Sequence, residues 1–71
     1  MKSFSWLSEL KTVTNVNGVT RYYIKKCDVW TRVSKADYEH READATRQDS
    51  FITKVIRGNV HQFKTVYGVH V

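Results

Sequence analysis

The chain has 71 residues, with twelve Lys and Arg against seven Asp and Glu, a net charge of +5, one cysteine and no proline. A chain of this length buries only about 60% of its unfolded surface, which predicts a single domain over residues 1–71 and argues against an enzyme with a deep, dry pocket. Cys27 alone cannot form an internal disulfide, no apolar run is long enough to span a membrane, and the first ten residues do not resemble a signal peptide, so we expect a cytoplasmic protein.

The N-terminal segment has apolar residues at helical spacing. Phe4, Leu7 and Leu10 recur every three positions. Ser3, just before them, is a residue type that caps helices. This pattern predicts a short N-terminal helix.

The segment TVTNVNGVTRYYIKK, residues 12–26, predicts a β-hairpin. Asn17-Gly18 suits a type I′ turn, because both residue types tolerate a positive φ. A two-residue loop there predicts that Thr14 lies opposite Arg21 and that Thr12 lies opposite Tyr23. One face of this pair would carry Val13, Tyr22 and Ile24, and the other Thr12, Thr14, Arg21, Tyr23 and Lys25.

A third strand is predicted over Cys27–Val33, followed by a helix. Residues 25–28 could form either a turn that opens this strand or a bulge within one long strand, and we favour the turn. Ser34-Lys35-Ala36-Asp37 has the form of a helix start, since the serine hydroxyl accepts a backbone N–H and an acid suits the helix dipole. The helix is predicted to continue to about Gln48.

Phe51–Ile56 and Val60–Tyr67 predict a second hairpin around Arg57-Gly58-Asn59, with Gly58 at a positive φ. If Gly58-Asn59 forms the loop, one face carries Ile52, Lys54, Ile56, His61, Phe63 and Thr65, and the other Phe51, Thr53, Val55, Val60, Gln62, Lys64 and Val66. Together these elements predict an α+β fold, in which a curved antiparallel sheet of four to five strands, built from two hairpins, packs against one main helix.

Charge is unevenly distributed along the chain. Residues 1–33 carry six bases and two acids, residues 34–50 three bases and five acids, and residues 51–71 three bases and no acid. The predicted strands are therefore basic and the predicted helix is acidic. This distribution favours a sheet surface that binds a polyanion.

Aromatic residues are interleaved with the bases of the predicted strands, as on surfaces that contact phosphates with cations and stack bases on rings. The candidate residues for binding RNA or single-stranded nucleic acid are Arg21, Tyr23, Lys25, Lys26, Trp30, Arg32, Lys54, Arg57, His61 and Lys64. In the alternative interpretation, the rings form the core and the lysines solvate a free face and protect edge strands.

Neither a metal site nor a cofactor is expected, because the three histidines and Cys27 lack the short spacings of zinc ligands. His61, near Lys54 and Arg57, could act in a metal-free nuclease. No second titratable partner stands at a defined spacing, so the sequence favours a non-enzymatic protein.

Two protein-interaction hypotheses remain open. The five acids from Asp37 to Asp49 could dock on a basic partner, as in a small inhibitor of a host enzyme, or could simply form a solvated helix face. The strand-forming segment Phe63–Val71 could leave an open edge that a second copy covers, so a homodimer is expected.

The segment RVSKADYEHREADATRQDSF, residues 32–51, resembles short bacteriophage accessory proteins in which a strand leads through an S-K-x-[DE]-Y helix start into a polar helix and a closing hairpin. The resemblance implies a protein that modulates host machinery in the host cytoplasm, for example an antitoxin-like antagonist of a host defence or RNA-processing system. It implies no catalytic residues, because this group of proteins shares no catalytic motif.

Overall fold

The computed structural model describes residues 4–70, which form one five-stranded antiparallel sheet with a single helix on one face. The elements are β1 Phe4–Thr14, β2 Thr20–Lys26, β3 Val29–Val33, α1 Lys35–Asp44, β4 Arg47–Ile56 and β5 Asn59–His70. The strand order is β3-β2-β1-β5-β4. The strands β1 and β5 therefore lie inside the sheet, and β3 and β4 form its edges.

The predicted α+β class is wrong, because the fold is largely sheet: strands make up 66% of it and the helix 15%. The predicted N-terminal helix is also wrong. β1 occupies this segment and pairs with β2 on one side and, along its full length, with β5 on the other. Pairing on both sides satisfies the backbone N–H and C=O groups of β1, and this outweighs the helical spacing of its apolar residues. The predicted Ser3 cap lies outside the described residues.

The first hairpin closes through a three-residue loop rather than the predicted two-residue loop. The Gly18 N–H donates to the Asn15 carbonyl at 3.0 Å, and the Asn15 side-chain oxygen accepts from the N–H groups of Asn17 and Val19 at 2.9 and 3.0 Å. Gly18 has a φ of 84°, whereas Asn17 keeps a negative φ. A type I turn followed by a glycine bulge therefore replaces the type I′ turn.

The longer loop shifts the pairing of β1 and β2 by one residue. Thr14 lies opposite Thr20, and Lys11, rather than Thr12, lies opposite Tyr23. Because a shift of one residue moves every side chain of a strand to the other face, the predicted assignment of β1 to its faces is wrong.

The other two hairpins turn through two residues with a positive φ. Cys27 and Asp28 have φ values of 50° and 65° and join β2 to β3, which confirms a turn rather than a bulge. Arg57 and Gly58, at 52° and 82°, form the last turn one residue earlier than predicted. The register of β4 and β5 moves by two residues as a result, so the two predicted faces of this hairpin are confirmed.

The helix α1 begins where predicted and ends early. Ser34 is its N-cap, and the Ser34 hydroxyl accepts from the Asp37 N–H at 3.1 Å. The helix ends at Asp44 rather than near Gln48, because the chain turns there to join the sheet. The Thr46 N–H donates to the Tyr67 carbonyl at 2.7 Å.

The core is small and lies between α1 and one face of the sheet, which we call the helix-side face. Its buried hydrophobic members are Leu10, Ile24, Tyr38 and Val66, and partly buried residues packed against them are Trp6, Tyr22, Val33 and Ala45. The described part of the chain has no helix with the length and apolar character needed to cross a membrane.

Candidate nucleic-acid interface

Within residues 4–70, the sheet face opposite α1, which we call the open face, has no helix packed on it. Residues paired directly across neighbouring strands share a face, so the strand registers assign its members. Its charged and aromatic side chains are Glu9, Lys11, Arg21, Tyr23, Lys25, Trp30, Arg32, Arg47, Lys54, His61, Phe63 and Tyr67. Among the described residues, the registers give the open face six Lys or Arg and one carboxylate; Asp49, at the β-bulge of β4, has no partner in the register and is not assigned to a face.

Lys11 lies at the centre of the open face, among three aromatic rings. Its Nζ is 4.9 Å from the centroid of Tyr23, 4.8 Å from that of Trp30 and 5.8 Å from that of Phe63. We call these four residues the ring cluster. All four are half-buried, although no other element covers them.

Two rings of the ring cluster meet although their strands are not neighbours in the sheet. Trp30 and Phe63 lie on β3 and β5, which are three strand steps apart, yet their ring centroids are only 6.1 Å apart. Three steps of about 4.8 Å would separate two strands of a flat sheet by roughly 14 Å. The sheet must therefore curve and the two side chains must lean toward each other across β1 and β2.

The contacts within the ring cluster are weak enough to be exchanged for contacts with a ligand. A lysine over an exposed ring contributes about 0.5–1 kcal/mol, whereas a nucleobase stacked on an aromatic side chain contributes about 1–3 kcal/mol. A base that displaces one lysine–ring contact therefore gains free energy. The cluster holds the rings in place before a ligand arrives, which lowers the entropy that binding would otherwise cost.

Lys25 extends the positive charge from the ring cluster toward β1. Its Nζ is 5.6 Å from the Trp30 ring and forms a 3.2 Å ion pair with Glu9. Both side chains are partly exposed, at 30% and 42%, and pairs of this kind contribute about 0–1 kcal/mol. A phosphate can therefore compete with Glu9 for Lys25.

Lys54 and His61 border the ring cluster on the β4–β5 side. Lys54 Nζ is 5.9 Å from the Phe63 centroid, and the His61 ring stacks on Phe63 with centroids 6.4 Å apart and planes at 14°. Val13 and Lys54 lie opposite His61 on the neighbouring strands. This environment suits His61 as an additional stacking ring. Within residues 4–70 no group of three or more His, Cys, Asp or Glu is arranged to hold a metal ion.

Most of the residues predicted from the sequence come together on the open face. These are Arg21, Tyr23, Lys25, Trp30, Arg32, Lys54 and His61. Arg57 lies instead in the exposed β4–β5 turn.

Lys26 and Lys64 lie on the helix-side face, away from the other predicted residues. Lys26 lines a cavity with Asp37 and Asp44 of α1, and Lys64 forms an ion pair with Glu42. The reason is the alternation of side chains along a strand, which sends neighbours such as Lys25 and Lys26 to opposite faces.

Sequence reasoning missed Lys11, the residue at the centre of the site. The predicted register placed Thr12 on the face of Tyr23, and this removed Lys11 from it. The signal that could have found it is Glu9-Leu10-Lys11, in which one apolar residue stands between two charged ones, the period of a half-buried strand. In the structure Leu10 is fully buried and Lys11 is half-buried on the other face.

The acids of α1 are partly neutralised by lysines of the same chain. Glu42 pairs with Lys64, and Glu39 lies 3.9 Å from Lys35. Asp49, which the sequence analysis counted with the acids of the helix, lies in β4 instead. The helix α1 therefore presents a shorter continuous acidic face than the sequence suggested.

Comparison with known proteins does not identify a relative. No family model matches the chain, and neither the curated proteins nor the solved structures include a match. The resemblance of residues 32–51 to bacteriophage accessory proteins stays a prediction.

Proposed function

We propose that this protein is a non-enzymatic binder of single-stranded nucleic acid, with RNA as its ligand and the open face as its binding surface. The observation that carries the proposal is the ring cluster, surrounded by cations with Glu9 as the one acid that the registers of the described residues assign to that face. Cations contact phosphates of any sequence, and aromatic rings stack on any base.

A single strand fits this surface better than a duplex does. The bases of a duplex are stacked on one another, so they offer no face to a protein ring, whereas the unstacked bases of loops and single strands do. A sheet whose aromatic side chains stack two or three bases is a common way of binding RNA. Occupying RNA without cleaving it would also suit an antagonist of host RNA processing, the role that residues 32–51 led us to expect.

The two tryptophans provide a direct test, because they lie on opposite faces of the sheet. Trp30 belongs to the ring cluster, whereas Trp6 lies on the helix-side face with the Arg41 guanidinium 5.0 Å from its ring. A single-stranded oligonucleotide should quench the fluorescence of the wild-type protein and of Trp6→Phe, but not that of Trp30→Phe. Trp30→Ala should weaken binding by about 5- to 150-fold, the equivalent of about 1–3 kcal/mol for one stacked base.

Lys25 and Lys26 provide a matched control for the cations. They are neighbours of the same type on opposite faces, so Lys25→Gln should weaken RNA binding and Lys26→Gln should not. Equal effects of the two changes would contradict the open face as the binding surface. If no RNA binds at low salt, the proposed function is wrong, and a nuclease-resistant complex with a host protein would then support the inhibitor hypothesis.

A further inference from the structure

The outer edge of β4 has no strand paired to it within residues 4–70. The ten residues of β4 pair with β5 on one side only and end the strand order of the sheet. Nine of the ten side chains are exposed, and Ser50 is half-buried. An edge strand of this kind presents a row of unpaired N–H and C=O groups, which another strand can use.

Between positions 50 and 56 the β4 edge has few of the features that usually protect such an edge. Four large apolar side chains are about half exposed or more: Phe51 at 49%, Ile52 at 51%, Val55 at 67% and Ile56 at 50%. They lie on both faces of the strand, and Lys54 is the one charged residue between positions 50 and 56. Natural edge strands are more often short, charged or interrupted by proline. The other edge of the sheet, β3, has only five residues.

We propose that a second copy of this chain pairs with the outer edge of β4, in antiparallel orientation about a two-fold axis perpendicular to the sheet. The position of the β-bulge in β4 indicates which residues of the two copies lie opposite each other. The pairing of β4 with β5 shifts between Gln48 and Ser50, so the regular part of the strand covers residues 50–56 and has Thr53 at its midpoint. Residues that lie directly opposite each other on neighbouring strands have their side chains on the same face of the sheet. A two-fold axis meets this condition when it passes through a residue position rather than between two residues.

Side-chain complementarity supports the axis at Thr53. In this register Phe51 lies opposite Val55 of the second copy, and Ile52 lies opposite its Lys54. An axis at Lys54 would place Lys54 opposite Lys54 of the second copy. Like charges directly opposite are unfavourable, whereas apolar and opposite-charge pairs each contribute about 0.2–1 kcal/mol.

The edge expected from the sequence is not the one that is open. β5, which includes most of Phe63–Val71, pairs with β1 along its length and with β4 as far as Tyr67. The two-fold axis through β4 would instead join two sheets into one of ten strands, with both open faces on the same side. Only this last consequence, a doubled surface for nucleic acid, depends on the proposed function.

The oligomeric state of the free protein, without nucleic acid, tests the proposal. Sedimentation equilibrium should show a dimer, and Val55→Lys should raise the dissociation constant of the dimer at least tenfold. Val29→Lys is the matched control, because Val29 is also an exposed valine of an edge strand on the helix-side face, but on β3. Circular dichroism checks that both variants keep the sheet. A protein that is monomeric at its highest attainable concentration, or a dimer that both variants weaken equally, would overturn the proposal.

A pair of opposite charges tests the register. Phe51→Lys and Val55→Glu should each weaken the dimer, and the double variant, which places opposite charges across the interface, should restore part of it; a double variant as weak as the single ones would rule out the axis at Thr53. Titration of Val55→Lys with the oligonucleotide separates the two proposals. If the oligonucleotide quenches Trp30 in a monomeric variant, RNA binding is supported whatever the oligomeric state. If the protein is a dimer and the oligonucleotide does not quench Trp30, only the proposed dimer is supported.

Discussion

Tyr38 shows how one side chain anchors α1 to the sheet. It is the buried residue of the helix, and its ring centroid lies 5.1 Å from that of Tyr22 on β2. Burial raises the pKa of Tyr38 to about 12, and the nearby Glu42 carboxylate and Tyr22 also raise the pKa. The neutral phenol is therefore favoured in the folded protein.

The raised pKa of Tyr38 predicts a loss of stability at alkaline pH. In the unfolded chain a tyrosine has a pKa near 10, so the folded state gains from the neutral Tyr38 below about pH 10 and loses this gain as the pH rises toward the folded pKa of about 12. Urea unfolding between about pH 8 and about pH 11 should show a shallower decline for Tyr38→Phe than for the wild type. Identical slopes would mean that Tyr38 does not contribute.

The turns show how an element can differ from its sequence signal. Asn17-Gly18, the strongest type I′ signal of the chain, does not form that turn, because the Asn15 side chain accepts two N–H groups and stabilises a longer loop. Cys27 and Asp28 do adopt the positive φ values of a two-residue turn, although neither is glycine. The two-residue turn therefore forms without the glycine that usually favours it.

Replacing these two residues should stabilise the β2–β3 hairpin. A non-glycine residue in the left-handed region costs roughly 1–2 kcal/mol, and Asn-Gly reduces that cost, so Cys27→Asn with Asp28→Gly should raise the free energy of unfolding by about 1 kcal/mol. Urea unfolding measures the change. Cys27→Ser is the control, since it removes the thiol without favouring a positive φ, and a gain of the same size in Cys27→Ser would contradict the turn as the cause.

At the scale of the whole molecule, the separation of charge between the two faces matters more than the net charge. The open face carries six cations, and Glu9 is the one acid that the registers of the described residues assign to it. On the helix-side face, Lys26 lies near acids of α1 and Lys64 pairs with Glu42. A polyanion is therefore attracted to one side of the sheet.

This separation predicts different effects of two changes that alter the net charge equally. Glu9→Gln should strengthen RNA binding, because it removes the acid of the open face and frees Lys25, whereas Glu39→Gln on α1 should have little effect. If about five phosphates are contacted, log K should fall with log salt with a slope of roughly −3.5 for a single strand. Fluorescence titration at several salt concentrations measures both quantities. Equal gains from the two variants would show that net charge alone governs binding.

By itself, the sequence determined the features that depend on neighbouring residues. The helix start at Ser34 and the faces of the β4–β5 hairpin were predictable, because a cap and the two-residue period of a strand are local properties. The basic and aromatic residues of β2 and β3 were also identified in this way.

Only the tertiary structure decided the role of β1. Its apolar spacing suggested a helix, but a place between β2 and β5 lets it pair on both sides, and such pairing depends on segments distant in the chain. The same pairing buries Leu10 and turns Lys11 toward Tyr23, Trp30 and Phe63. A shift of one residue in register, which follows from the longer loop closed by Asn15, therefore determined the centre of the candidate site.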